Sequence, residues 1–311
     1  MKKYLQFLAG TLLMAVIIFE IVVIGILKIP SGVFHSSYQS LIQDKYRILK
    51  ETNEPKIIVI SGSSSAFGLD QAMLEEATGY KVANMGLHAG FGHLFYTELA
   101  KSNINEGDIV LLGYEYGWQN GFDFLDQSLI MTGIDDNIEM YSQIPISKWK
   151  DFVGYIFKYA ELKNSSKVAA TGIYSREAFD SETGQMTMAR DYNMEYAPEL
   201  YGYEFLDGEA ISDEAVEYLL ELKEYVEKRG ASIYFIAPPL VIDSVCCDLN
   251  EFTKLKETEE RLIGIPYISN PLDYLFPEEL MSNARYHCNS RGEKVRTQYL
   301  IDDMKRANII K

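Results

Sequence analysis

Residues 55–70 read PKIIVISGSSSAFGLD, and no other stretch constrains the fold of this chain as tightly. Ile57, Ile58, Val59 and Ile60 are four β-branched apolar residues in a row, the pattern of a strand buried on both faces. Such a strand needs helices above and below it, which means an α/β architecture with a mainly parallel sheet. Gly62 then permits a sharp turn, and Ser63, Ser64 and Ser65 follow where the chain leaves the carboxyl end of the strand. Ligand sites of open α/β sheets gather outside those ends. A serine placed there is a candidate nucleophile if a base reaches it. The alternative use of the same residues is a capping run at a helix start. Nucleotide binding fits poorly, because the turn has only Gly62 and Gly68 and no lysine of a phosphate-binding loop.

The alternation continues along the chain. Helices are predicted over 70–77, 93–102, 212–229, 250–262 and 290–307, and further strands over 81–84, 108–112, 232–237 and 266–269. Five strands alternating with helices predict one three-layer α/β/α domain over 55–311. Residues 117–213 break the rhythm with many aromatics and read as a mainly helical insertion, strongest over 148–163. An insertion after a strand end commonly builds a substrate wall. Residues 28–54 read as a juxtamembrane connector with a helical part near 38–50.

Residues 4–27 carry one charge, Glu20, and as a helix would span roughly 36 Å, enough for a bilayer. The apolar core of a cleavable signal is shorter, and Lys28-Ile-Pro-Ser is a poor cleavage site, so an uncleaved anchor is predicted. Lys2 and Lys3 precede the span and only Lys28 closely follows it, which predicts a cytoplasmic tail of residues 1–3 and an extracytoplasmic body. Glu20 fits either contact with a partner helix or a protonated carboxyl in a lone anchor. The formal net charge of −16 repels polyanions and excludes nucleic acid as a partner. Three cysteines, with Cys246 and Cys247 adjacent, form neither a disulfide framework nor a zinc spacing and read as free or buried thiols.

Two further segments bear on the serine turn. Asn84-Met85-Gly86-Leu87-His88 lies at the second strand end, where a glycine N–H can help bind an oxyanion. Tyr286-His287-Cys288-Asn289-Ser290-Arg291-Gly292 places a histidine just before a helix that Asn289 or Ser290 can cap. Together these patches resemble the SGNH (GDSL-type) hydrolase superfamily, in particular its membrane-anchored branch near cell-envelope polymer acylation proteins. The resemblance spans roughly residues 56–308 and implies a flavodoxin-like sandwich. It aligns the family's G-D-S with Gly62-Ser63-Ser64, making Ser64 the matched nucleophile, and makes Gly86 the second oxyanion donor. Glu115, in Gly113-Tyr114-Glu115-Tyr116, stands where the family has an asparagine donor, and a carboxylate cannot donate unless protonated. The family's D-T-x-Y-H-L-N-x-x-G block matches Tyr286, His287, Asn289 and Gly292, with Asn283 where the orienting aspartate belongs; Asp273 is a possible substitute.

The resemblance implies an SGNH-like serine esterase or O-acyltransferase using a Ser64–His287 dyad on acyl esters of a cell-envelope glycan or a small acyl ester. It needs no metal or organic cofactor, and a membrane-bound O-acyltransferase is the implied partner. The Glu115 and Asn283 departures motivate a second reading, an inactive accessory of the same fold. His88 and His93 read as polar residues at helix starts rather than site walls, and His35 as exposed. Trp118, Phe122, Phe124, Trp149 and Tyr201 read as packing of the insertion, with stacking on sugar rings as the alternative.

Overall fold

The run of β-branched residues forms β1, Lys56–Ser61, buried along its whole length. A computed structural model describes residues 1–164 and 172–310 of the chain. β1 lies between β2, Lys81–Asn84, and β3, Ile109–Gly113, with β4, Ser232–Phe235, beyond β3. All three pairings are parallel, with Ile57 opposite Val82 and Ile109, and Ile109 opposite Ser232. Four of the expected strands are therefore present.

The fifth is not. Residues 266–269 run beside β4 but join it only through the bridge Phe235–Tyr267, so among the described residues the sheet has four strands. Side chains take the remaining ladder positions. The Tyr267 N–H bonds Glu260 Oε1 at 2.7 Å, and the Ala237 N–H bonds Ser269 Oγ at 2.6 Å. A separate two-residue parallel ladder pairs β5, Leu240–Val241, with β6, Leu275–Phe276.

Alternation along β1 divides the core into two layers. Ile58 and Ile60 pack with Leu41 and Leu49, Phe95 and Leu99, and Leu219 and Leu222, from helices Leu41–Glu51, His93–Lys101 and Asp213–Glu227. Ile57 and Val59 pack on the other face with Leu74 of helix Gln71–Thr78 and Leu300, Ile301 and Met304 of helix Ser290–Arg306. Helices thus cover both faces. Their starts follow the sequence: Asp70 accepts from the Met73 N–H, Ser212 from the Ala215 N–H, and Asn289 from those of Arg291 and Gly292.

The amino end of the sheet is closed by a fully buried ion pair. Lys56 Nζ lies 2.9 Å from Asp108 Oδ2, and the Lys56 and Asn105 N–H groups also donate to that carboxylate. The described part of 117–213 is helical in its first half, at Gln127–Ile134, Ile138–Tyr141 and Trp149–Lys163. Residues 165–171 of that stretch lie outside the described residues. After residue 172 the stretch is mostly irregular backbone and short 3₁₀ turns, with one further helical turn at Pro198–Tyr201. Side chains compete with helix there: Asp180 Oδ1 alone accepts the N–H groups of Glu182 and Thr183.

Helix Lys2–Lys28 is long and apolar enough to cross a membrane, and only Leu27 of it is buried. Its carboxyl end is fixed to the body. Lys163 Nζ donates to the carbonyls of Ile26 and Ile29 and pairs with Asp135 Oδ1 at 3.0 Å, while Asp135 Oδ2 accepts the Ser31 N–H at 2.7 Å. The next helix, Leu41–Glu51, buries Leu41, Ile42, Tyr46 and Leu49 in the core. Much of the stretch read as a connector is thus part of the folded body.

Candidate active site

β1 ends at Ser61, and a single helical turn, Ser63–Ala66, starts after Gly62. The turn points its three serines in different directions. Ser63 is half-buried, and its Oγ lies 2.8 Å from His287 Nε2. Ser64 is fully buried; its Oγ bonds Ser61 Oγ at 2.9 Å, and its carbonyl accepts from Arg296 Nη1 at 2.6 Å. Ser65 Oγ lies 3.0 Å from Asn84 Oδ1. The serine expected to meet the histidine was Ser64, and the structure places Ser63 there instead. Successive helical side chains diverge by about 100°, so a one-residue shift turns the hydroxyl from the mouth into the core.

His287 sits in a tight loop in which the Ser282 N–H bonds the His287 carbonyl at 2.8 Å and the His287 N–H bonds the Ala284 carbonyl at 3.0 Å. The imidazole stacks on Phe67, with ring centres 4.3 Å apart. Its Nδ1 lies 3.1 Å from Asn283 Oδ1, and Asn283 Nδ2 donates to Tyr174 OH at 2.6 Å. An amide oxygen only accepts, so Nδ1 carries the ring proton and the Nε2 lone pair faces Ser63. Burial pushes the imidazole down to about 3, helped by Arg190 and His88, so the ring is neutral at physiological pH. Asn283 therefore selects the tautomer a general base needs. Asp273, the possible substitute for the missing aspartate, is bonded instead by Asn270 Nδ2 at 3.2 Å.

Glu115, just beyond β3, lies over the turn. Its Oε1 accepts the Ser64 N–H at 2.7 Å and lies 3.3 Å from Ser63 Oγ. The carboxyl packs against Gly62, where a Cβ would come within 2.7 and 2.8 Å of its two oxygens. Burial raises the carboxyl above its ordinary range, against the opposing pull of the Ser64 N–H, the Ser63 and Ser64 hydroxyls and Arg296.

Gly86 and Asn84 hold the frame. The Gly86 N–H donates to Asn84 Oδ1 at 3.0 Å, so it is not free to bind an oxyanion, contrary to expectation. Gly86 is needed for close approach, since a Cβ there would lie 2.0 Å from Ser65 Oγ and 2.5 Å from the Gly62 carbonyl. Asn84 Nδ2 donates to the Ser65 carbonyl at 3.0 Å, and the Asn84 carbonyl accepts from Lys45 Nζ at 2.9 Å.

Four contributors escaped the sequence reading. Tyr174 and Arg190 come from the irregular part of the insertion; Phe67 and Arg296 flank the two matched motifs. Arg190, almost wholly buried, donates to the carbonyls of Phe67 and Cys288 and pairs with Glu293 at 2.9 Å, tying the serine turn to the histidine loop. A buried arginine is unusual enough to need partners, but its position in sequence gives no sign of which.

The other histidines lie outside this constellation. His88 Nδ1 accepts the Gly90 N–H at 2.9 Å and caps a short 3₁₀ turn. His93 is partly buried against Tyr114, ring centres 4.5 Å apart, and desolvation lowers its imidazole to about 4. His35 is exposed. Trp118 and Phe122 pack in the core, while Phe124 is exposed. Among the described residues no group of three or more His, Cys, Asp or Glu side chains is arranged to hold a metal ion.

No family model matches the sequence, and no curated protein matches it. Among solved structures, the chain is similar to the crystal structure of protein YxiM from Bacillus subtilis, at 12% identity and a TM-score of 0.34. The match covers 82% of this chain and 57% of that one, so the chain spans less than two thirds of that protein's length. A likeness at this score carries no argument about the site or its chemistry.

Proposed function

We propose that the protein is a serine-dependent esterase or O-acyltransferase in which Ser63 is the nucleophile and His287 the general base. The observation that carries this reading is the 2.8 Å contact between Ser63 Oγ and His287 Nε2, with Asn283 holding the proton on Nδ1. Ser63 Oγ attacks an acyl carbonyl while Nε2 takes its proton. Nε2 then returns that proton to the departing alcohol, and water or a second alcohol releases the acyl group by the reverse steps. The motif resemblance supports an acyl ester on a cell-envelope glycan as substrate, the apolar helix supports a membrane-anchored site of action, and Lys2 and Lys3 before it support an extracytoplasmic body.

One observation favours a second reading. The Glu115 carboxyl occupies the Ser64 N–H that an oxyanion would otherwise use. A chain whose oxyanion site is filled by its own carboxylate suits a non-catalytic accessory docked on a membrane-bound O-acyltransferase, with Glu20 as a contact. A fluorophosphonate probe on the full chain in detergent separates the two readings. Labelling at Ser63, lost together with p-nitrophenyl acetate turnover in Ser63→Ala, is expected of the enzyme. A well-folded chain that neither labels nor turns over is the accessory.

A further inference from the structure

We propose that Glu115 is a catalytic residue that works as a neutral carboxylic acid, donating a hydrogen bond to the oxyanion formed on the carbonyl attacked by Ser63. The proposal rests on the serine-dependent reading above and gives the site a donor at the position where the family has an asparagine. Three observations lead to it.

The first is a count of protons. Ser63 has one hydroxyl proton and two acceptors facing it, His287 Nε2 at 2.8 Å and Glu115 Oε1 at 3.3 Å. The His287 tautomer set by Asn283 assigns that proton to Nε2. An ionised Glu115 would then set a full negative charge against the Ser63 lone pairs, whereas a neutral carboxyl, its proton on Oε2, sets only a carbonyl oxygen there.

The second is position. Oε1 takes the chain's hydrogen bonds to this carboxyl, and Oε2 takes none among the described residues. Gly62 lets the carboxyl lie flat on the turn beside the nucleophile. The Gly86 N–H, the other expected donor, is spent on Asn84. The third is environment. Arg296 is the cation that faces Glu115, and it is held on the Ser64 carbonyl. Tyr38, Tyr96 and Tyr286 are near enough to feel its charge, all with phenols raised by burial and neutral, and His287 is neutral as well. Burial outweighs the Ser64 N–H, the serine hydroxyls and Arg296, and the carboxyl is held above its ordinary range. A carboxylic acid kept neutral by an apolar site can serve as an oxyanion donor.

In the acylation step the Ser63 Oγ–carbon bond forms as the carbonyl π pair moves to oxygen. The Ser63 proton passes to His287 Nε2, and the Glu115 proton bonds the new oxyanion without leaving Glu115. Collapse restores the carbonyl and expels the alcohol, which takes the proton from Nε2.

The test compares the full-length wild type with Glu115→Gln, Glu115→Ala and Ser63→Ala in detergent, using p-nitrophenyl acetate. Glu115→Ala is expected to lower kcat by about 10²–10³-fold. Glu115→Gln, which keeps a neutral donor, restores about ten-fold or more of that loss. It also abolishes the decline in wild-type kcat that accompanies ionisation of the carboxyl as pH rises. In addition, the infrared difference between wild type and Glu115→Gln at about pH 6, where an ordinary glutamate is ionised, shows the carbonyl stretch of a neutral acid. Absence of that band overturns the proposal whether or not the protein turns over. So does wild-type kcat in Glu115→Ala, or a rise above wild type in Glu115→Gln at the acid plateau, which would mark the carboxylate as a plug. Turnover that survives Ser63→Ala defeats the serine-dependent reading instead, and is distinguished by that variant alone.

Discussion

Asn283 Oδ1 faces His287 Nδ1 at 3.1 Å and fixes the imidazole in the tautomer whose free lone pair meets Ser63. An asparagine in place of an aspartate leaves the geometry of a base intact and withholds only the negative charge that would stabilise the imidazolium. The burial that lowers this imidazole to about 3 therefore has no carboxylate working against it.

The pH profile follows from that. His287 must be neutral to accept the Ser63 proton, so wild-type activity is expected to show no acid limb from this group until pH falls close to 3. Asn283→Asp raises the imidazole pKa, because a carboxylate favours the charged ring, and moves the acid limb to higher pH. Asn283→Ala frees the ring and lowers kcat by about 10²-fold, the scale of a small misplacement. Steady-state rates across pH, for all three proteins, check both outcomes.

Ser64 and Ser63 separate cleanly by substitution. Ser64→Ala removes the bond to Ser61 Oγ, which retains the Gly113 carbonyl as acceptor, and costs about 1 kcal/mol of stability. Fluorophosphonate labelling should persist in that variant at Ser63. Thermal melts and mass mapping of the labelled peptide read the two effects separately.

Gly86→Ala tests the frame behind the turn. The added methyl would lie 2.0 Å from Ser65 Oγ and 2.5 Å from the Gly62 carbonyl, and the second of these is backbone. Overpacking of this kind costs about 1–3 kcal/mol or more, and the Ser63–His287 contact should loosen with it. A lower denaturant midpoint together with slower probe labelling is the expected result.

At the opposite end of the sheet, Lys56→Met leaves Asp108 charged, buried and without its ammonium. Stability is expected to fall by about 3–5 kcal/mol, and replacing both partners by apolar residues should recover much of the loss. Urea unfolding of the single and double variants measures the difference.

The strands and their carboxyl-end loops were legible because burial on both faces leaves a plain mark: runs such as 57–60 and 109–112 admit few other uses. The helix starts near 70, 212 and 290 were legible for the same local reason, the last with its Asn289 cap. The strand at 266–269 was misjudged because the side chains of Glu260 and of Ser269 itself take the N–H groups of Tyr267 and Ala237 that a ladder would pair. The irregular half of the insertion left no periodic mark, so Tyr174 and Arg190 went unseen. Choosing among three adjacent serines was beyond pattern reading, since it depends on where the helical turn begins. Glu115 was visible as a departure, but its burial against Gly62, on which its protonation rests, is a tertiary fact.

The Lys163–Asp135 clamp at the end of the apolar helix has a consequence for reach. A catalytic body on a slack tether patrols a shell of space and finds esters at many heights. Here the last helical carbonyls and the Ser31 N–H are gripped by side chains of the body itself, so the helix end is tied to the body directly rather than through a slack linker. Under the proposed function, with that helix embedded in a bilayer, Ser63 stands at a set elevation. On that reading substrates come to the layer where the site stands, much as work is brought to a tool mounted on a bench.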